Sequence, residues 1–131
     1  MKVVFDTNIF ISAFAVPGGK AEEAYIHAIK RDFTLYSSVA ILTETAQKLR
    51  EKFGWEQRQI TRLLKAVTKV AIVIKTKSHV HLLTDEPDNR VLECAGAVGA
   101  DFIVTGDKHL LSLEHFQHTI IIRLSDFLGK F

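Results

Sequence analysis

The chain has one cysteine, Cys94, only two prolines, and no apolar run that approaches the roughly 20 residues needed to cross a bilayer. A lone thiol excludes an internal disulfide and points to a reducing cytoplasm. The first residues carry one lysine and then Asp6, so a secretory signal is not expected at this end. With 47% apolar and 24% charged residues and seven glycines, the composition is that of a globular, soluble chain. No repeat, low-complexity tract or linker interrupts its 131 residues, which fit a single domain spanning 1–131. Also missing are a CxxC pair, a Ser-His-Asp order, a GxGxxG loop and a GxxxxGK[ST] motif, so none of those chemistries competes for the active role.

The net charge of +2 conceals a segregation. Nine Lys or Arg fall between Lys48 and Lys77, against Glu51 and Glu56 alone. Between Asp85 and Asp107 the balance reverses, to six acids with only Arg90. A basic surface beside an acidic centre suits a polyanion held next to a metal site, although a basic stretch by itself reads as the solvated side of surface helices.

Short β-branched or aromatic runs at Val3–Phe5, Phe33–Tyr36, Ala71–Ile74, Phe102–Val104 and Ile120–Ile122 read as five strands buried on both faces. Helical patterns lie between them. Ala21–Lys30 follows the turn Pro17-Gly18-Gly19. A longer helix runs from a Ser37 or Ser38 cap to about Phe53, with Val39, Leu42, Ala46, Leu49 and Phe53 inward. Gly54 ends it, and Glu56 to about Lys69 forms the next. Asp88 or Asn89 starts a helix that Gly99 closes, and short helices follow at Lys108 and at Ser125–Leu128. Strands alternating with helices imply an α/β fold with a mostly parallel five-stranded sheet covered on both faces.

Such folds place ligands outside the carboxyl ends of their strands. Asp6 ends the first strand, and Asp107 follows Phe102–Val104 in "IVTGDKHLL". Asp88, in "DEPDNRVLECA", enters the helix before that strand, and Glu44 lies early in the helix after the second strand. All four are expected near one sheet edge. Crowded carboxylates repel, and a hard divalent cation, Mg²⁺ or Mn²⁺, relieves them. One or two such ions serve in-line hydrolysis of a phosphodiester. Singly, each acid has a plainer role. Asp6 and Asp88 are natural helix caps, Asp107 shapes a turn, and Glu44 lies nearly opposite the expected apolar stripe of its helix.

Taken in order and at these separations, "VVFDTNIFIS", the glutamate of "LTETAQKL", "DEPDNRVLECA" and "ADFIVTGDKHLL" resemble the PIN domain (PilT N-terminal domain) ribonuclease family. The resemblance is strongest to its stand-alone prokaryotic toxins of toxin–antitoxin pairs. It extends over essentially the whole chain, to the closing "LSDFL". It implies a three-layer α/β/α sandwich and Mg²⁺- or Mn²⁺-dependent cleavage of RNA. By position, Asp6, Glu44, Asp88 and Asp107 match the family's metal-binding acids, and Asn8 and Thr105 match its polar support. A small antitoxin protein and a homodimer or higher homo-oligomer are the implied partners.

Arg50, Lys52, Arg58, Arg62, Lys65 and Lys69 are candidates for an RNA-binding flank, while Phe53 and Trp55 read as core or dimer packing. Glu93 is expected exposed or ion-paired, Cys94 as a small packed residue, and His79 and His81 as surface histidines. Two rivals stand beside the metal-dependent ribonuclease. One is a PIN-fold module that binds RNA or protein without turnover. The other is phosphoryl transfer with Asp6 as acceptor, for which "DTN" lacks the second aspartate of a haloacid-type phosphatase.

Overall fold

Strand β1 (Lys2–Phe5) is apolar at every position after Lys2, and Val3, Val4 and Phe5 are fully buried. It occupies the middle of the sheet because both of its edges find parallel partners, β2 (Thr34–Ser38) and β4 (Phe102–Val104). The computed structural model describes residues 1–131. Two further strands, β3 (Ile72–Ile74) and β6 (Thr119–Ile122), extend the parallel array outward, pairing with β2 and β4. A two-residue strand, β5 (His115–Phe116), adds an antiparallel edge, and the order across the sheet is β3-β2-β1-β4-β6-β5. The five expected strands are all present, and the sheet has six because of β5. That strand is too short to leave a periodic pattern.

The chain leaves β1 toward β2 on one side and later returns at β4 on the other. The β1/β4 boundary is therefore the switch point of this α/β sheet, where a crevice opens beyond the strand carboxyl ends. Helices α1 (Thr7–Ala15) and α2 (Lys20–Ile29) connect β1 to β2, and α3 (Val39–Lys52) and α4 (Gln57–Val70) connect β2 to β3. Helix α5 (Glu86–Val98) precedes β4, and α6 (Lys108–Leu113) and α7 (Leu124–Leu128) follow β4 and β6. Phe5, Phe10, Phe33 and Phe127 meet on one face of β1 with ring centroids 5.1 to 6.4 Å apart. This cluster joins the sheet to α1 and α7, while α5 packs on β1 and β2.

Three local expectations are corrected. In α3 the buried residues are Ile41, Leu42, Thr45 and Leu49, whereas Val39 and Phe53 stay half exposed. Thr45 can enter the core because its hydroxyl donates to the Ile41 carbonyl at 2.8 Å, and the helix is turned accordingly. Helix α5 starts before Asp88: Asp85 holds the cap position and Pro87 lies in the first turn, where its missing N–H costs nothing. Strand β3 is the outermost strand at one side of the sheet, so Ile72 is half exposed rather than buried.

Candidate active site

The central strand delivers Asp6 to the switch point. Its backbone N–H donates to the Val104 carbonyl at 3.1 Å, which ties the end of β1 to the end of β4. Asp6 sits at the N-cap position of α1, yet its side chain makes no cap bond. Its Oδ2 instead accepts the Thr105 hydroxyl at 2.8 Å. The same Thr105 oxygen accepts the backbone N–H of Asp107 at 3.0 Å. One buried hydroxyl thus fixes a carboxylate on β1 and the turn that carries a second carboxylate after β4.

Asp107 caps α6. Its Oδ1 accepts the N–H groups of His109 at 2.8 Å and Leu110 at 3.0 Å, which leaves Oδ2 outside the cap. Asp88 stands in the first turn of α5, only 5% exposed, and its Oδ2 is buried with no hydrogen-bond partner. A buried oxygen in that state costs free energy unless a cation or proton joins it.

These aspartates are close enough to feel one another's charge. Burial raises the pKa of Asp6, against the opposing pull of the Thr105 hydroxyl and the Thr7 backbone N–H; the charge of Asp107 raises it further and Lys48 lowers it. Burial first, then the charges of Asp107, Asp85 and Asp6, push Asp88 up to about 7, and a proton on Asp88 can be shared with Asp107. The absence of a donor at Asp88 Oδ2 describes the ionised form, and the shared proton describes the neutral one. No group of three or more Asp, Glu, His or Cys side chains stands at metal-binding spacing. The donor set fits a hard cation that keeps part of its water shell: carboxylate oxygens, one of them orphaned, in an open crevice.

Glu44 is half-buried on the flank of α3, and its charge is not among those acting on Asp6 or Asp88. It precedes Lys48 by one helical turn, so the two share a side of α3. Lys48 reaches the site, with Nζ 3.3 Å from Asn8 Oδ1 and its charge acting on Asp6. Asp6, Asp88 and Asp107 are brought together, Thr105 and Asn8 border them, and Glu44 stands one turn away from the nearest lysine.

Sequence reading missed Lys48, and it missed how α5 is held. Glu93, expected exposed or ion-paired, is a buried ion pair. Its Oε2 accepts the backbone N–H groups of His79 at 2.7 Å and Val80 at 2.8 Å. Its Oε1 lies 3.0 Å from Arg90 Nε, a contact whose angle falls outside that of a hydrogen bond. Arg90 also bonds Ser78 Oγ and the Val80 carbonyl, and buried Asn89 bonds both backbone groups of Leu83. These residues latch segment 78–83 to α5 and so fix the helix start that presents Asp88. The available signal was that α5 is apolar at Val91, Leu92, Cys94 and Ala95, so any charge inside it needs a partner. Cys94 is buried, and burial pushes its thiol up to about 12, far from nucleophilic. His79 and His81 are exposed.

The candidate RNA-binding residues Arg50, Lys52, Arg58, Arg62 and Lys65 are all exposed. Arg58, Arg62, Lys65 and Lys69 line one open groove of about 550 Å³ along α4, while Arg50 contacts Gln57 at 3.2 Å. The largest concavity, about 670 Å³, lies elsewhere, between α3 and α4, with Val39, Leu42, Ala46, Leu64 and Val73 in its wall. Thr43, Gln47, Arg50, Glu51 and Thr68 complete that wall and none of the aspartates reaches it, so the acids and not the largest hollow mark the candidate active site. No helix is long and apolar enough to cross a membrane.

Three comparisons bear on this arrangement. The family model described as PIN domain matches residues 2–109. An uncharacterised protein of Methanocaldococcus jannaschii is 36% identical over 119 residues, covering 87% of this chain and 76% of that relative. In fold, the chain resembles one in the crystal structure of VapBC2 from Rickettsia felis bound to a DNA fragment from their promoter. The TM-score is 0.67 at 15% identity, over 94% of this chain and 98% of that one. A family model spanning most of the chain, with strand-end aspartates meeting at the switch point of the expected sheet, shows that this protein belongs to the PIN-domain family.

Proposed function

We propose that this protein is an Mg²⁺- or Mn²⁺-dependent endoribonuclease and the toxin member of a toxin–antitoxin pair. The observation that carries the reading is the meeting of Asp6, Asp88 and Asp107 around an orphaned carboxylate oxygen at the switch point. One or two ions would be held by these three, with Glu44 of α3 as a further candidate ligand, and would supply Lewis-acid polarisation of a phosphodiester and acidification of a water. The chain's own residues do the rest. Thr105 aims the Asp6 carboxylate, the α6 cap fixes Asp107, and the Glu93–Arg90 latch holds the helix start under Asp88. Lys48 beside Asn8 supplies a positive charge at the rim for the backbone of the bound strand. Hydrolysis forms one P–O bond from water and breaks one P–O bond of the chain.

The basic residues of α3 and α4 support a polyanionic substrate. Arg50 and Lys52 end α3, and Arg58, Arg62 and Lys65 line a groove along α4, a run of cations suited to a phosphate backbone. The groove between α3 and α4, half apolar and half polar in its lining, is a suitable seat for a small antitoxin, a partner suggested by the Rickettsia felis VapBC2 structure. Self-association, suggested by the family resemblance, belongs to the same reading, as does action in the cytoplasm.

The test is to incubate varied fluorescent RNAs with purified protein and Mn²⁺, with and without chelator, beside Asp6→Asn and Asp88→Asn. We expect discrete products that chelator and either substitution remove by at least about 100-fold. Identical products from wild type and variants, or none on any RNA, contradict the reading.

A further inference from the structure

A second concavity of about 210 Å³ adjoins the acids and carries the opposite charge. Its wall includes Thr105, Gly106, Lys20, Arg123 and Ser125, beside the apolar Ile9 and Leu124. Thr105 is the residue that bonds Asp6 Oδ2, and Gly106 immediately precedes Asp107, so cleft and acid cluster share a wall. Lys20 opens α2 and Arg123 precedes α7, and the two are distant in sequence. Both are exposed, and neither takes part in the molecule's ion pairs or side-chain hydrogen bonds. They share this free state with Arg58, Arg62 and Lys65, whereas Arg31, Arg90 and Lys2 are engaged on the Val70 carbonyl, Glu93 and the Val98 carbonyl. Two unpaired cations at the mouth of one small cleft repel each other unless an anion joins them.

The geometry points to this cleft as an anion subsite that takes the backbone phosphate next to the one held at the acids. For the identity of its ligand the inference rests on the ribonuclease reading above; for its anion chemistry it rests on Lys20 and Arg123 alone. A strand crossing the site then has one phosphate over the aspartates and a neighbour between Lys20 and Arg123. The α4 groove is a separate basic surface and shares no wall residue with this cleft.

The experiment uses the full chain as wild type and as Lys20→Gln/Arg123→Gln, both sites exposed and free of intramolecular bonds, with melting curves to show equal folding. A fluorescein-labelled 12-nucleotide RNA is titrated by anisotropy in Ca²⁺ across a salt series. The double variant is expected to bind about tenfold more weakly at low salt. Its log–log salt slope should be shallower by about 1.4, at roughly 0.7 per cation on a single strand. Equal affinity and slope, or weaker binding at an unchanged slope, overturn the subsite. Inorganic phosphate titrated into ¹⁵N-labelled protein separates the two proposals: amide shifts at Gly106 and Ser125 in wild type, lost in the double variant, uphold the cleft even where RNA does not bind and the nuclease reading falls. No shift in wild type, together with no RNA binding, overturns both.

Discussion

The Thr105 hydroxyl donates to Asp6 Oδ2 at 2.8 Å across 99 residues of sequence, and both side chains are almost wholly buried. A hydrogen bond to a carboxylate contributes about 1.5–3 kcal/mol, more than a neutral one, and this bond also sets the direction in which Asp6 faces. Thr105→Val keeps the shape and removes the donor. We expect about 10- to 100-fold weaker Mn²⁺ binding by calorimetry, with Thr105→Ser recovering most of it. A valine variant that binds Mn²⁺ as wild type does would show that the hydroxyl only fills space.

Asp88 makes the metal-free protein less stable as pH rises. Its carboxyl has an ordinary value of 3.8 and is pushed to about 7 in the fold, by burial first and by neighbouring aspartates next. Between those values the folded state holds a proton that the unfolded state has released, so the contribution is full below about pH 4 and is lost as pH passes 7. In chelator, wild type is expected to melt lower at pH 8 than at pH 5.5, and Asp88→Asn to raise the pH 8 stability by about 2 kcal/mol. That figure discounts roughly 1.4 kcal/mol per unit by half for solvent at the crevice. Asp6 acts in the same direction. A wild-type stability that climbs between pH 5.5 and 8 would contradict this.

Asp107 has two separable roles. Its Oδ1 caps α6 through His109 and Leu110, a role that asparagine can keep and alanine cannot. Asp107→Ala is therefore expected to be less stable than Asp107→Asn by about 1 kcal/mol in denaturant, while both lose Mn²⁺ binding. If the two variants bind metal differently but unfold together, the assignment of the two oxygens is wrong.

The Glu93 carboxylate is fully buried and joins Arg90 to the backbone of His79 and Val80. Removing one side of such a pair leaves a buried charge alone, which costs about 3–5 kcal/mol. Arg90→Ala is expected to lower stability by that order and to speed amide exchange at His79, Val80 and Leu83 ahead of global unfolding. Uniform exchange changes across the molecule would mean that segment 78–83 is not a separately held unit.

The fold was legible wherever burial forces a local pattern. Strands such as Phe102–Val104 must be apolar on both faces because helices cover them, and that leaves a continuous run. The two-residue β5 has no room for a pattern, and the rotation of α3 turns on one hydroxyl, Thr45, whose bond to its own backbone lets a polar residue face the core. Strand-end logic placed Asp6 and Asp107 at the carboxyl ends of β1 and β4, since topology alone dictates where those backbone positions lie, whereas Asp88 stands in the first turn of α5. It could not orient Glu44, because a helix side chain faces wherever packing turns the helix. Lys48 and Glu93 escaped for a related reason: their roles depend on Asn8 and on segment 78–83, which meet them only in three dimensions.

The central claim is that Asp6, Asp88 and Asp107 share one divalent cation, and Mn²⁺ calorimetry at pH 6.5 in buffers of different ionisation heat tests it most directly. The account predicts saturable binding with release of most of one proton by wild type, no such release by Asp88→Asn, and loss of binding in Asp6→Asn and Asp107→Asn. Binding of equal strength and equal proton count in wild type and all three variants would contradict it.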